Sequence, residues 1–143
     1  IARVMGARVG PHPDGVVEIG YWEVSPTEAG QSFLSRPTMF YQWHSETFEI
    51  PDGAIHLASS GPFPGQAYIY NDRVFGIEFH PEMTRQMIDR WSSSETGSKK
   101  LSLCGAQQRD EQLENHNRFA KDSQIWLDCF LDNIFLSRLT IVD

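Results

Sequence analysis

The sequence predicts a mixed fold in which strands come first and helices second, either α/β or α+β. Residues 1–72 carry short aromatic and β-branched runs separated by glycine and proline, which is the punctuation of strands and tight turns. From Met83 onward apolar residues recur at helical spacing instead. With 143 residues, 40% of them hydrophobic and 22% charged, the chain holds enough apolar surface for the core of one domain.

The elements follow in order. Ile1, Val4 and Met5 share a helical face, and Gly6 is placed to end that turn, so the chain reads as entering part-way through a helix. Residues 15–24 (GVVEIGYWEV) alternate well enough for a strand, and 25–30 (SPTEAG) form a turn or a short helix start. Strands are expected at 38–44 (TMFYQWH), 54–60 (AIHLASS), 66–71 (QAYIYN) and 74–79 (VFGIEF). The dipeptides Asp14-Gly15, Asp52-Gly53 and Asn71-Asp72 are turn formers between these runs. Met83, Met87, Ile88 and Trp91 line one face of a helix over 83–91. Residues 92–102 are small, polar and aperiodic, which predicts a surface loop. Residues 107–139 form a long helical pattern, with a break expected near 115–117 and an apolar stripe that includes Leu113, Phe119, Ile125, Trp126, Cys129 and Phe130. The final TIVD suggests no role.

Composition narrows the function classes. A net charge of −7 argues against a broadly basic nucleic-acid surface. No apolar run reaches the ~18 residues a membrane helix needs. The two cysteines, Cys104 and Cys129, have no CxxC spacing, which argues against a disulfide framework or a zinc knuckle and suits a reducing, cytoplasmic setting.

One stretch carries chemistry. In GIEFHPEMT (76–84) a strand ends in His80, Pro81 and Glu82. Pro81 fixes its own φ and disfavours helical geometry at His80, so the chain bends there and can aim both flanking side chains at one place. An imidazole hydrogen-bonded to a carboxylate has a fixed tautomer and a stabilised cation, which a general base serving a nucleophile requires. The same pair also fits an incidental loop contact. A metal triad of His80, Glu82 and His44 or His12 is not supported by the His-x-Glu spacing.

VFGIEFHPEMT resembles the G-x-Q-F-H-P-E signature of class I glutamine amidotransferases, with Glu78 where glutamine is usual. PHPDGVVEIGYWEV, QWHSETFEIPDGAIHLASS, GQAYIYNDRVFGIEFHPEMT and GAQQRDEQLENHNRFAKDSQIWLDCFLD stand in the order and spacing of the stand-alone, GMP-synthase-like branch. The resemblance implies a three-layer α/β/α sandwich around a mostly parallel, doubly wound, flavodoxin-like sheet. It implies a glutaminase reaction through a Cys-His-Glu triad, with His80 as base and Glu82 as its orienting carboxylate, delivering ammonia to an acceptor or synthetase that remains open. No cofactor, nucleic acid, membrane or metal is implied.

The family's G-x-C-x-G nucleophile elbow is not matched in these residues. The resemblance therefore implies that residues 1–143 are a partial amidotransferase-like domain, its C-terminal part. A non-catalytic homologue that binds a metabolite or partner is the alternative. Cys104, in LCGAQ, lacks the preceding glycine and follows the His-Pro-Glu motif, so it does not fit the nucleophile; Cys129 reads as a core residue. By the same resemblance His44 and Ser45 bind glutamine, chiefly through main chain, and Gln66 lies near the site. The competing readings are a strand-end histidine satisfied by hydrogen bonds and a structural turn residue.

Overall fold

A computed structural model describes residues 1–136. Seven strands precede the helices: β1 (Val9–Pro11), β2 (Glu18–Pro26), β3 (Thr38–His44), β4 (Glu46–Phe48), β5 (Ile55–Ser59), β6 (Ala67–Tyr70) and β7 (Val74–Ile77). They are followed by α1 (Arg85–Ser93), α2 (Glu95–Lys100) and α3 (Arg109–Phe130), and then by a π-helical turn, Leu131–Leu136. The TIVD segment and the end of the long helical pattern lie outside the described residues.

The strands form a five-stranded sheet in the order β3-β2-β5-β6-β7 and a small β1-β4 pair. Every ladder is antiparallel, and the mostly parallel sheet implied by the family resemblance is absent from the described residues. The reason is connectivity. Parallel neighbours need a crossover of a dozen or more residues, usually helical, and here the first α-helix comes only after β7. Among the described residues, parallel contact is confined to a single bridge between Ile19 and Ala106. There Gln107 lies along β2, its side chain accepting from Tyr21 N–H and donating to Tyr21 C=O. Gly20 allows that approach: its φ is +108°, and a Cβ would lie 2.2 Å from Gln107 Oε1.

The sheet curls until its two ends meet. Just beyond β7, Glu78 N–H still bonds to Gln66 C=O, while His80 N–H bonds to Tyr41 C=O on β3 at 2.8 Å. Residues 78–80 thus close the space between the last strand and the first. Inside the curl, Val24, Phe40, Leu57, Ala67 and Phe79 pack with Trp126 and Phe130 from the far end of α3. On the other face, Tyr21 and Tyr41 pack beneath Met83, Ile88 and Leu113 of the α1–α3 layer. Each aromatic contact in these clusters adds roughly 0.5–1.5 kcal/mol beyond the area it buries.

Three local expectations are corrected. Residues 95–100 are helical rather than loop, because the Ser94 hydroxyl caps Gly97 N–H and Glu95 precedes Lys99 and Lys100 in helix-favouring order. α3 runs unbroken through 115–117. Cys129 is exposed, lying on the flank of α3 rather than beneath it. At Ile1–Gly6 the chain makes one hydrogen-bonded turn, ended by Gly6 at φ +87°.

Candidate active site

His80 and Glu82 are held by the bend they flank. His80 is fixed through its main chain to β3, and Thr84 caps α1 by accepting from Met87 N–H, so helix begins immediately after the motif. Pro81 C=O accepts from Ser123 on α3 at 3.4 Å. Between these anchors, His80 Nδ1 meets Glu82 Oε1 at 2.9 Å. A carboxylate there requires the proton on Nδ1, which leaves Nε2 as the lone-pair nitrogen. No other hydrogen bond to the His80 ring exists among the described residues, and the side chain is 32% exposed. Its ring stands edge-on to Trp91, with centroids 5.4 Å apart. This is the arrangement of a base: one nitrogen oriented by an acid, the other open.

A second polar assembly lies at the end of β3 and is almost sealed. Glu18 on β2 is fully buried. Its Oε1 accepts from Ser60, and its Oε2 accepts from Gln66 at 2.8 Å and meets His44 Nε2 at 3.1 Å. The other nitrogen of His44 meets Glu46 C=O at 3.0 Å and lies 3.8 Å from Glu78 Oε1. Both close partners of His44 are oxygen atoms, so both ring nitrogens are taken up within the fold. Burial alone would lower its pKa, but the hydrogen bond to Glu18 and the charges of Glu78 and Glu18 outweigh burial and raise it. Burial pushes Glu78 up to about 7; His44 draws it down and Glu18 adds to the rise. Gln66 closes the assembly by accepting from Gln42 at 2.7 Å, while Gln42 Oε1 and Glu78 Oε2 are buried without partners.

The predicted residues thus separate into two groups. His80 and Glu82 come together. His44 and Gln66 come together through Glu18, and no hydrogen bond among the described residues joins the two groups. Ser45 sits at the β3–β4 corner, where its carbonyl accepts from His12 N–H at 3.4 Å. Both ring nitrogens of His44 are engaged within the fold, by Glu46 C=O and Glu18. Glu18, Gln42, Ser60 and the network role of Glu78 were not anticipated from sequence. Glu18 reads as an outward polar position on an alternating strand, and its partners His44, Ser60 and Gln66 lie 26, 42 and 48 residues away.

Neither cysteine hydrogen-bonds to His80. Cys104 is exposed on the turn before α3, its carbonyl accepting from Val17 N–H. Among the described residues no group of three or more His, Cys, Asp or Glu side chains is placed to hold a metal ion. No helix there is long and apolar enough to cross a membrane.

The chain is similar to known glutamine amidotransferases in both sequence and fold. The chain is 30% identical over 94 residues to the glutamine amidotransferase-like protein YfeJ of Salmonella typhimurium, covering 62% of this chain and 38% of that protein. It is 32% identical over 114 residues to the glutamine-hydrolysing GMP synthase of Aeropyrum pernix, covering 74% of this chain and 20% of that one. The glutamine amidotransferase structure from Methylobacillus flagellatus superposes with a TM-score of 0.78 at 26% identity, covering 87% of this chain and 53% of that one. The chain is class I glutamine amidotransferase-like. A glutamine amidotransferase from Thermotoga maritima gives a TM-score of 0.77 at 25% identity, over 93% of this amidotransferase-like chain and 56% of that structure. The chain therefore spans about two-fifths or less of its curated relatives and a little over half of these structures. No protein-family model matches it.

Proposed function

We propose that this chain is part of a glutaminase of the class I amidotransferase type, in which His80 is the general base and Glu82 orients it. The observation that carries the reading is the 2.9 Å Nδ1–Oε1 hydrogen bond, with Nε2 left open at a half-exposed bend. Similarity to amidotransferases at both sequence and structure level supports it. In this reading a cysteine thiol outside the described contacts of His80 gives its proton to Nε2, and the thiolate attacks the γ-carbonyl carbon of glutamine. As the tetrahedral intermediate collapses, Nε2–H returns the proton to the departing nitrogen, releasing ammonia and leaving a γ-glutamyl thioester. Water activated by the same nitrogen then breaks the thioester to give glutamate and free thiol.

The β3–β4 corner at His44 and Ser45 would hold the amino-acid end of glutamine through main chain. Gln66, fully buried, would act through Glu18 and His44 rather than by touching substrate. In the whole protein this antiparallel layer would adjoin the mostly parallel sheet of a three-layer sandwich, and a synthetase or other acceptor in the cytoplasm would take the ammonia.

The test is a glutaminase assay on full-length protein with and without a thiol-directed glutamine analogue. Glutamate and ammonia released in equal amounts, and abolished by the analogue, support the reading. Glutamine binding by calorimetry without turnover would overturn it in favour of a binding-only homologue.

A further inference from the structure

A cleft of about 440 Å³ opens at Trp91, whose ring also stands edge-on to His80. Trp43 from β3 and Trp91 from α1 form its apolar wall, with ring centroids 5.6 Å apart and planes tilted by 60°. Arg90, Lys100, Ser94 and Thr96 line the rest, and no acidic side chain is among its walls.

Ser94 spends its hydroxyl on Trp91 C=O, but other donors of this cleft are free among the described residues. Trp22 gives its indole N–H to Ile19 C=O and Trp126 gives its own to Phe33 C=O, whereas those of Trp43 and Trp91 have no acceptor among the described residues. Arg90 and Lys100 are in no ion pair among the described residues, where the neighbouring acids are engaged elsewhere: Asp89 with Arg109, Glu95 with Lys99. A chain of net charge −7 thus lines one cleft with two unpaired cations and with two tryptophans whose indole N–H groups have no acceptor among the described residues. Aromatic faces favour a flat ring, and uncompensated cations with surplus donors favour a negative group.

We propose that this cleft binds a small molecule in which a planar aromatic ring carries an anionic group, a phosphate or carboxylate. The ring lies against Trp43 and Trp91, and the anion meets Arg90 and Lys100. The inference does not depend on glutaminase activity, since it uses neither His80 nor a thiol.

Full-length, ¹⁵N-labelled protein is titrated with phenyl phosphate, inorganic phosphate and phenol, following the four indole N–H signals. Phenyl phosphate is expected to shift Trp43 and Trp91 saturably, leave Trp22 and Trp126 in place, and bind at least ~10-fold tighter than either half-molecule, a difference of ~1.4 kcal/mol. Arg90→Glu and Lys100→Glu should each weaken it ~10-fold or more, whereas Lys121→Glu on α3 should not. If a charge-reversed variant fails to fold, Arg90→Gln or Lys100→Gln takes its place, with the same direction expected. No saturable shift, equal affinity for phosphate or phenol alone, or affinity unchanged in both cation variants would overturn the proposal.

Discussion

His80 and His44 are each paired with glutamate, and the protein treats the two pairs in opposite ways. His80 keeps one acid on Nδ1, an open Nε2 and substantial solvent contact. His44 has acceptors on both nitrogens, a second carboxylate nearby and little exposure. The first pair has a nitrogen left with which to exchange protons; the second has spent every donor on strand ends and loops. Residue type alone does not make a catalytic dyad. What separates the pairs is whether a ring nitrogen remains free once the fold has taken what it needs.

That contrast can be broken from either side. The largest effect expected is on turnover: His80→Ala in full-length protein should lower glutaminase kcat by about 10⁴-fold, roughly 5.5 kcal/mol, at the upper end for loss of a general base. Its denaturation midpoint should hardly move. If turnover persists near the wild-type rate, His80 is not the base. Glu18→Ala should do the reverse in kind, costing about 4 kcal/mol of stability in urea unfolding by leaving His44, Ser60 and Gln66 without their shared acceptor. A near-neutral result would mean that water reaches this network freely.

The third effect is on pH. Glu78 and His44 both have raised values, so the folded chain holds their protons more tightly than the unfolded chain does. The stability Glu78 confers is complete below its ordinary value of 4.5 and is lost as pH climbs from there through about 7; that of His44 is complete below 6.5 and is lost at higher pH. Raising Glu78 from 4.5 to about 7 corresponds to roughly 3 kcal/mol. Glu78→Gln should therefore flatten the fall in stability between pH 5 and 8 by up to roughly that amount, measured by thermal melts across the range. An unchanged profile would remove Glu78 from the account. The smallest effect expected is that of Glu82→Gln, about 10²-fold in kcat, because the ring keeps its place through the His80 main chain and Trp91 but loses its charged orienter.

Legibility of the sequence varied with the range of the interactions. β3 falls on the run TMFYQWH, and the turn at Asn71-Asp72, where both residues adopt positive φ, was marked by its dipeptide. His80 and Glu82 could be singled out because Pro81 sets their geometry locally. α2 was missed because it has no apolar stripe: capping and end charges hold it. The buried network was missed because β2 is covered on both faces, so the polar Glu18 within it is no sign of solvent. The antiparallel pairing, too, depends on which strands meet, and connectivity rather than propensity decides that.

The run Tyr41 to His44 serves four clients in four consecutive positions. Tyr41 tethers the His80 backbone, Gln42 props Gln66, Trp43 walls the aromatic cleft, and His44 braces the corner. Deleting one residue between Thr38 and Tyr41 would turn this stretch inside out, putting indole where carboxylates wait and imidazole beneath the helices. Genetic drift in length is therefore affordable in the bend before Thr38 and forbidden a few codons later.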